Sequence, residues 1–192
     1  MPMSNIIVTG PRLHLRQAEE RDIDYIMSLE EDPENLKFIV PFTKEMHLAV
    51  IRSGEDSMDV LVERKDTGEP VGYLWVAGLR NTSHEIEWTH VIIGKKGQGY
   101  GHEAMKLLKL WTFEVMKAHR AWMDCKDYNA RALHLYEAEG MVREGLIRET
   151  ILTEGRYENL VILGILDREY RARRAQGLEL PVPGREPQED GR

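Results

Sequence analysis

Lys96-Gly97-Gln98-Gly99-Tyr100-Gly101 lies between an extended segment and a helical one, with glycine at every second position. Glycine admits the positive φ angles of a tight turn and lets neighbouring N–H groups converge on one point. The helix beginning near His102 adds the positive end of its dipole, and Lys96 adds a full charge. Such a junction suits a phosphate or pyrophosphate. Glycine turns also serve simply to cap and connect, so the loop gains weight only beside a second motif some thirty residues downstream. Asn129 and Tyr136 are seven residues apart, about two helical turns, and therefore share one helix face. Taken singly, Asn129 reads as an N-cap, Tyr136 as a core aromatic and Gly140 as a C-terminal cap. Together with the loop they suit a long ligand held by its charge at one end and by an amide and a phenol at the other.

The elements that must position these groups alternate along the chain. Arg12-Leu13-His14-Leu15-Arg16 alternates as a strand, and Ile23, Ile26, Met27 and Leu29 have helical spacing up to the break at Asp32-Pro33. Thr43 is a candidate N-cap for a helix reaching Val50-Ile51. Met58–Lys65 and Val71–Leu79 form a predicted hairpin about Asp66–Pro70, and Glu85–Ile93 is a further strand ending at the glycine loop. Leu107, Leu108, Trp111, Val115 and Ala118 mark the long helix behind that loop. Ala121–Cys125 reads as a strand, Asn129–Glu139 as a helix, and Val142–Leu152 and Arg156–Leu166 as a closing hairpin. After Asp167 the chain turns charged and proline-containing, which predicts one domain over 1–167 and, over 168–192, a frayed helix with a disordered tail.

Lys96-x-x-Gly99-x-Gly101 resembles the acetyl-CoA pyrophosphate loop of the GNAT acyltransferases, Arg/Gln-x-x-Gly-x-Gly/Ala, and Asn129–Met141 is similar to their N-x-x-A-x-x-L-Y-E-x-x-G-F segment. Arg148-Glu149 followed by Gly155-Arg156-Tyr157 resembles the hairpin of the RimJ/RimL-type N-terminal acetyltransferase branch. Lys96 departs from the usual Arg or Gln, keeping charge but losing a guanidinium fork. Met141 departs from the usual Phe. The resemblance, which runs from about Arg12 to Leu166, implies an α/β GNAT-like fold, a mixed and mostly antiparallel twisted sheet flanked by helices. It also implies an acetyl-CoA-dependent N-acetyltransferase acting by direct transfer. The pyrophosphate would lie on Lys96, Gly97, Gln98, Gly99, Tyr100 and Gly101. Asn129 would hold the pantetheine amides, which would pair with the strand at Val91 and Ile93 where it splays from its neighbour. Tyr136 would stand near the coenzyme sulfur.

Transfer from a thioester to an amine needs a free amine, and an aliphatic amine of pKa near 10 is only about one-thousandth unprotonated at pH 7. Glu85 and Glu87 point to the same side of their strand, and Glu85 precedes Lys96 by eleven residues, where some members of the superfamily carry a base. They read equally as solvated strand carboxylates. Tyr136 is the candidate proton donor to the departing thiolate. The acceptor site is expected from the first two helices and their linker, Glu31–Phe42, with the Arg148–Tyr157 hairpin, and the acceptor is a protein N-terminal amine, a polyamine or a small amine. A non-catalytic acyl-CoA-sensing module on the same scaffold is the alternative.

Composition narrows the setting. The 192 residues suit one domain, and 42% hydrophobic with 31% charged residues is ordinary for a soluble protein. No apolar run is long enough for a membrane span, and the N-terminus lacks a signal peptide's pattern. One cysteine, Cys125, allows no internal disulfide and fits the cytoplasm; it reads as a small core residue. A net charge of −7 argues against nucleic acid and suits a cationic acceptor. His84, His90, His102, His119 and His134 show no metal-ligand spacing, so no metal is expected. The expected partners are acetyl-CoA and an amine, with a homodimer as the candidate assembly.

Overall fold

The computed structural model describes residues 5–183. Its eight strands form one sheet in the order β1-β2-β3-β4-β5-β6-β8-β7. These are β1 (Ile6–Thr9), β2 (Leu13–Gln17), β3 (Ser57–Arg64), β4 (Pro70–Ala77), β5 (Glu85–Ile93), β6 (Arg120–Lys126), β7 (Val142–Thr153) and β8 (Arg156–Leu166). Every neighbouring pair is antiparallel except β5 and β6. A parallel pair needs a crossover, and the long helix α4 (Tyr100–Leu110) supplies it, ending in one π turn at Trp111–Val115. Seven of these eight strands and the long helix agree with the sequence reading. β1 is the exception, because four residues without alternation give no period to read.

Helices cover both faces. Ala104, Leu107, Leu108 and Trp111 of α4 enter the larger apolar core with Leu13, Leu15, Val62, Leu74 and Leu163. The opposite face carries α1 (Ile23–Glu30), α2 (Pro33–Leu36) and α3 (Lys44–Ser53) over a smaller core of Ile26, Leu29, Leu61, Tyr73 and Ile92. β3 and β4 are buried at five and six of their eight residues because both faces are covered. Thr43 caps α3 through Met46 N–H at 3.3 Å. The break at Asp32-Pro33 turns out to start α2: Asp32 accepts the Glu34 N–H at 2.8 Å, and proline occupies the first helical position, where no N–H is needed. Among the described residues no helix is long and apolar enough to cross a membrane.

The C-terminal segment departs from expectation. Asp167–Ala175 forms a further helix, whose Tyr170 is fully buried and stacks on Phe113 with centroids 4.9 Å apart. Leu180 and Val182 pack against the larger core. Glu179 reaches back to the fully buried Lys109 at 2.6 Å, and Lys109 also bonds Glu139 at 3.0 Å. A buried ammonium without such partners would be costly, so this segment completes the domain instead of fraying from it. The part of the expected tail at 184–192 lies outside the described residues.

Candidate active site

Gly97 and Gly99 take φ of 80° and 75°, left-handed values that favour glycine. Gly99 is the N-cap of α4, so the loop delivers its N–H groups into a helix N-terminus. Lys96, Gly97, Gly99, Tyr100 and Gly101 line a cleft of about 800 Å³. Gln98 does not; its carbonyl accepts from Arg12 Nη1 at 3.0 Å. Arg12 in turn bonds Glu103 of α4 at 2.8 Å and lies over the Tyr100 ring, 5.1 Å from its centroid. This brace sets the loop's shape, and sequence reading misses it because its halves are 91 residues apart. Arg131, also on the cleft wall, is a further cation that the motif pattern does not single out.

Lys96 is exposed at the cleft wall and has no ion-pair partner among the described residues. A point charge of this kind should be replaceable. Lys96→Arg is expected to keep coenzyme affinity, while Lys96→Glu weakens it more than about tenfold, or about 1.4 kcal/mol, by calorimetry at low salt. Equal affinities for Lys96→Glu and the parent would remove the residue from the site.

The cleft exists because two strands part. β5 and β6 are in register at only three pairs, Glu85–Arg120 through Glu87–Trp122. Beyond them Thr89–Ile93 and Met123–Lys126 face each other across the opening. The edge at Val91 and Ile93 is therefore free of β6, and an amide-bearing chain can add to it. A bulge accompanies the parting: Trp75 pairs with His90 and Val76 with Trp88, leaving Thr89 as the extra residue. The alternation slips there. Trp88 bonds Thr112 behind the sheet at 3.2 Å, whereas His90, two residues on, faces Glu30 of α1 at 2.8 Å.

The helix α5 (Ala130–Ala138) closes the cleft. Asn129 caps it, accepting the Ala132 N–H at 3.2 Å, which leaves the amide nitrogen to the cleft. Tyr136 lies on the same wall, and its hydroxyl bonds no residue among those described. Burial, with Cys125 and Asp124 nearby, pushes its phenol well above the ordinary range. It stays protonated at neutral pH and can donate to a charge forming on sulfur. Burial pushes the Cys125 thiol up to about 12, so it stays a thiol at neutral pH. An acyl-cysteine is thereby disfavoured, consistent with direct transfer.

The two strand carboxylates do not reach the cleft wall. Glu85 is held by Arg120 at 2.7 Å. Glu87 is half-buried; burial pushes its carboxyl up, and Asp124 and Glu85 push the same way. Asp124 does line the cleft, with no ion-pair partner among the described residues, and burial pushes it up as well. Sequence reading passes over Asp124 and His90, since only the bulge and the parting bring them forward. On the far wall stand Glu34, Phe38 and Phe42 of the α1–α3 region. That region is tied to the other side: Lys126 and Tyr128 both donate to the Lys37 carbonyl, at 3.2 and 2.7 Å. From the closing hairpin Ile151 lines the cleft, and Tyr157 and Glu158 line an adjoining hollow.

A backbone anion cradle opening into a slot between parted strands defines a coenzyme A-dependent acyltransferase. Residues 12–142 match the Acetyltransferase (GNAT) domain family, and the chain belongs to it: an N-acetyltransferase that uses acetyl-CoA as cosubstrate. It is similar to a spermidine N(1)-acetyltransferase of Escherichia coli K12, 22% identical over 82% of this chain and 88% of the relative. It is also 25% identical to an uncharacterised N-acetyltransferase, p20, of Bacillus licheniformis, over 83% and 95%. A crystal structure of Vibrio cholerae spermidine N-acetyltransferase with CoA and spermine superimposes with a TM-score of 0.76 at 22% identity, covering 84% of this chain and 99% of that one. A Bacillus anthracis GNAT-family acetyltransferase gives 0.72 at 23%, over 84% and 99%.

Proposed function

We propose that the chain acetylates a primary amine of an aliphatic polyamine. In this reading the 96–101 loop holds the coenzyme pyrophosphate, Asn129 and the Val91–Ile93 edge hold its arm, and Tyr136 serves the departing thiolate. The curated relatives' activity supports the acceptor class. The observation that carries it in this chain is Asp124, a carboxylate in the cleft whose ionised form is disfavoured by burial and lacks a counter-ion among the described residues. A cation arriving there restores the missing charge, so binding is favoured for an acceptor with more than one ammonium group. A cytoplasmic location fits the single unpaired cysteine. For the homodimer, the edge strand β7 offers exposed Leu146 and Ile147.

The test is coenzyme turnover against spermidine, spermine, a peptide N-terminal amine and an aminoglycoside. Spermidine and spermine are expected to saturate the enzyme, and Asp124→Asn to raise their KM by about tenfold or more with kcat much less affected. Turnover on the peptide amine without turnover on spermidine would move the chain to the RimJ/RimL-type branch. An unchanged KM in Asp124→Asn would remove that carboxylate from acceptor binding.

A further inference from the structure

We infer that His90, positioned by Glu30, is the base that frees the acceptor amine; the inference rests on acyl transfer to a protonated amine. His90 stands on the cleft wall just past the bulge. Its Nδ1–H donates to Glu30 Oε1 at 2.8 Å, and its Nε2 has no protein partner among the described residues. Phe42 stacks on the ring, 4.6 Å between centroids and 18° between planes. Glu30 is wholly buried and also accepts the Phe42 N–H at 3.1 Å. The ring is thus fixed by an acceptor at one nitrogen and a flat apolar contact on one face. That leaves the Nε2 lone pair without a partner among the described residues, on a ring that lines the cleft.

The charged and titratable groups around it come from every neighbouring element. Glu30 belongs to α1. His47 of α3, wholly buried, has Nε2 3.7 Å from Glu30 and Nδ1 3.2 Å from Asp59 of β3. Tyr73 of β4 lies edge-on to the His90 ring at 6.5 Å. Glu87 of β5 and Asp124 of β6 complete the set. Glu85 is occupied by Arg120, and neither Glu85 nor Glu87 lines the cleft.

The protons balance. Nε2 takes one proton from R–NH3⁺, and the freed nitrogen pair forms the bond to the acetyl carbonyl carbon. The tetrahedral adduct collapses, the C–S bond breaks, and the sulfur leaves with the electron pair. Tyr136 gives its proton to sulfur while its oxygen takes the second proton from nitrogen. The products are the N-acetyl amine, the free thiol and one proton that His90 returns to water.

Three variants and two acceptors test this: His90→Gln, Glu30→Gln and Glu87→Gln beside the parent, with spermidine and with the weakly basic trifluoroethylamine. His90→Gln should keep acetyl-CoA affinity and lose about 10²-fold in kcat/KM on spermidine at pH 7, the loss shrinking toward the amine's own pKa. Its rate relative to the parent on trifluoroethylamine, already neutral, should be preserved. Glu30→Gln should show the same substrate and pH pattern at smaller amplitude. A parental pH profile in His90→Gln, or the loss appearing in Glu87→Gln instead, would overturn the assignment. Independently of any acceptor, ¹⁵N spectra of the parent should show neutral His90 as the Nδ1–H tautomer; the Nε2–H form would refute it. If the parent ignores spermidine but acetylates another aliphatic amine, the polyamine reading fails and the comparison proceeds on that amine.

Discussion

Replacing Tyr136 by phenylalanine is expected to lower turnover by roughly 10²–10⁴-fold, the usual scale of a lost proton-transfer group. Acetyl-CoA affinity and melting temperature should stay near parental values. The separation is sharp because the hydroxyl has no partner among the described residues and opens on the cleft, while the ring packs in the larger core. Removing the oxygen therefore leaves no buried group unpaired. A purely structural tyrosine would give the reverse, altered stability with normal turnover per folded molecule. Parental turnover by folded Tyr136→Phe would end the general-acid assignment.

Tyr170→Ala is expected to cost about 3–5 kcal/mol of stability, as truncation of large buried aromatics does. The ring is fully buried and stacked on Phe113, whose own helix carries Lys109 toward Glu139 and Glu179. Glu139 also bonds His102, which lines the cleft at 2.8 Å from it. Loosening the C-terminal helix should thus be felt at the coenzyme side as well as in the melting curve. Chemical denaturation measures the effect; a loss under about 1 kcal/mol would mean that the segment after Leu166 is dispensable for folding.

The contrast between these two tyrosines marks where sequence reading stops. Tyr136 is legible because its partners are local: Asn129 two turns earlier on the same helix, and a glycine loop whose conformation follows from its residue types. Tyr170 sits in a charged stretch with a single aromatic, and only its packing against Phe113, far back in the chain, makes it core. A charged, proline-bearing composition predicts an unpacked tail when no long-range contact is known.

Residue types and spacing by themselves determined the strand and helix order apart from β1 and α2, the phosphate-suited loop and the α5 face, since each depends on turn chemistry or on periods of 2 and 3.6 residues. Tertiary structure alone decided the rest. It decided that Arg12 and Glu103 brace the loop, that Glu85 is held by Arg120, and that Asp124 enters the cleft. It also turned His90 to Glu30, because a one-residue bulge at Thr89 reverses the side to which every later residue of β5 points. A period-2 pattern carries no record of such a slip, which arises only when the strand pairs with β4 and parts from β6.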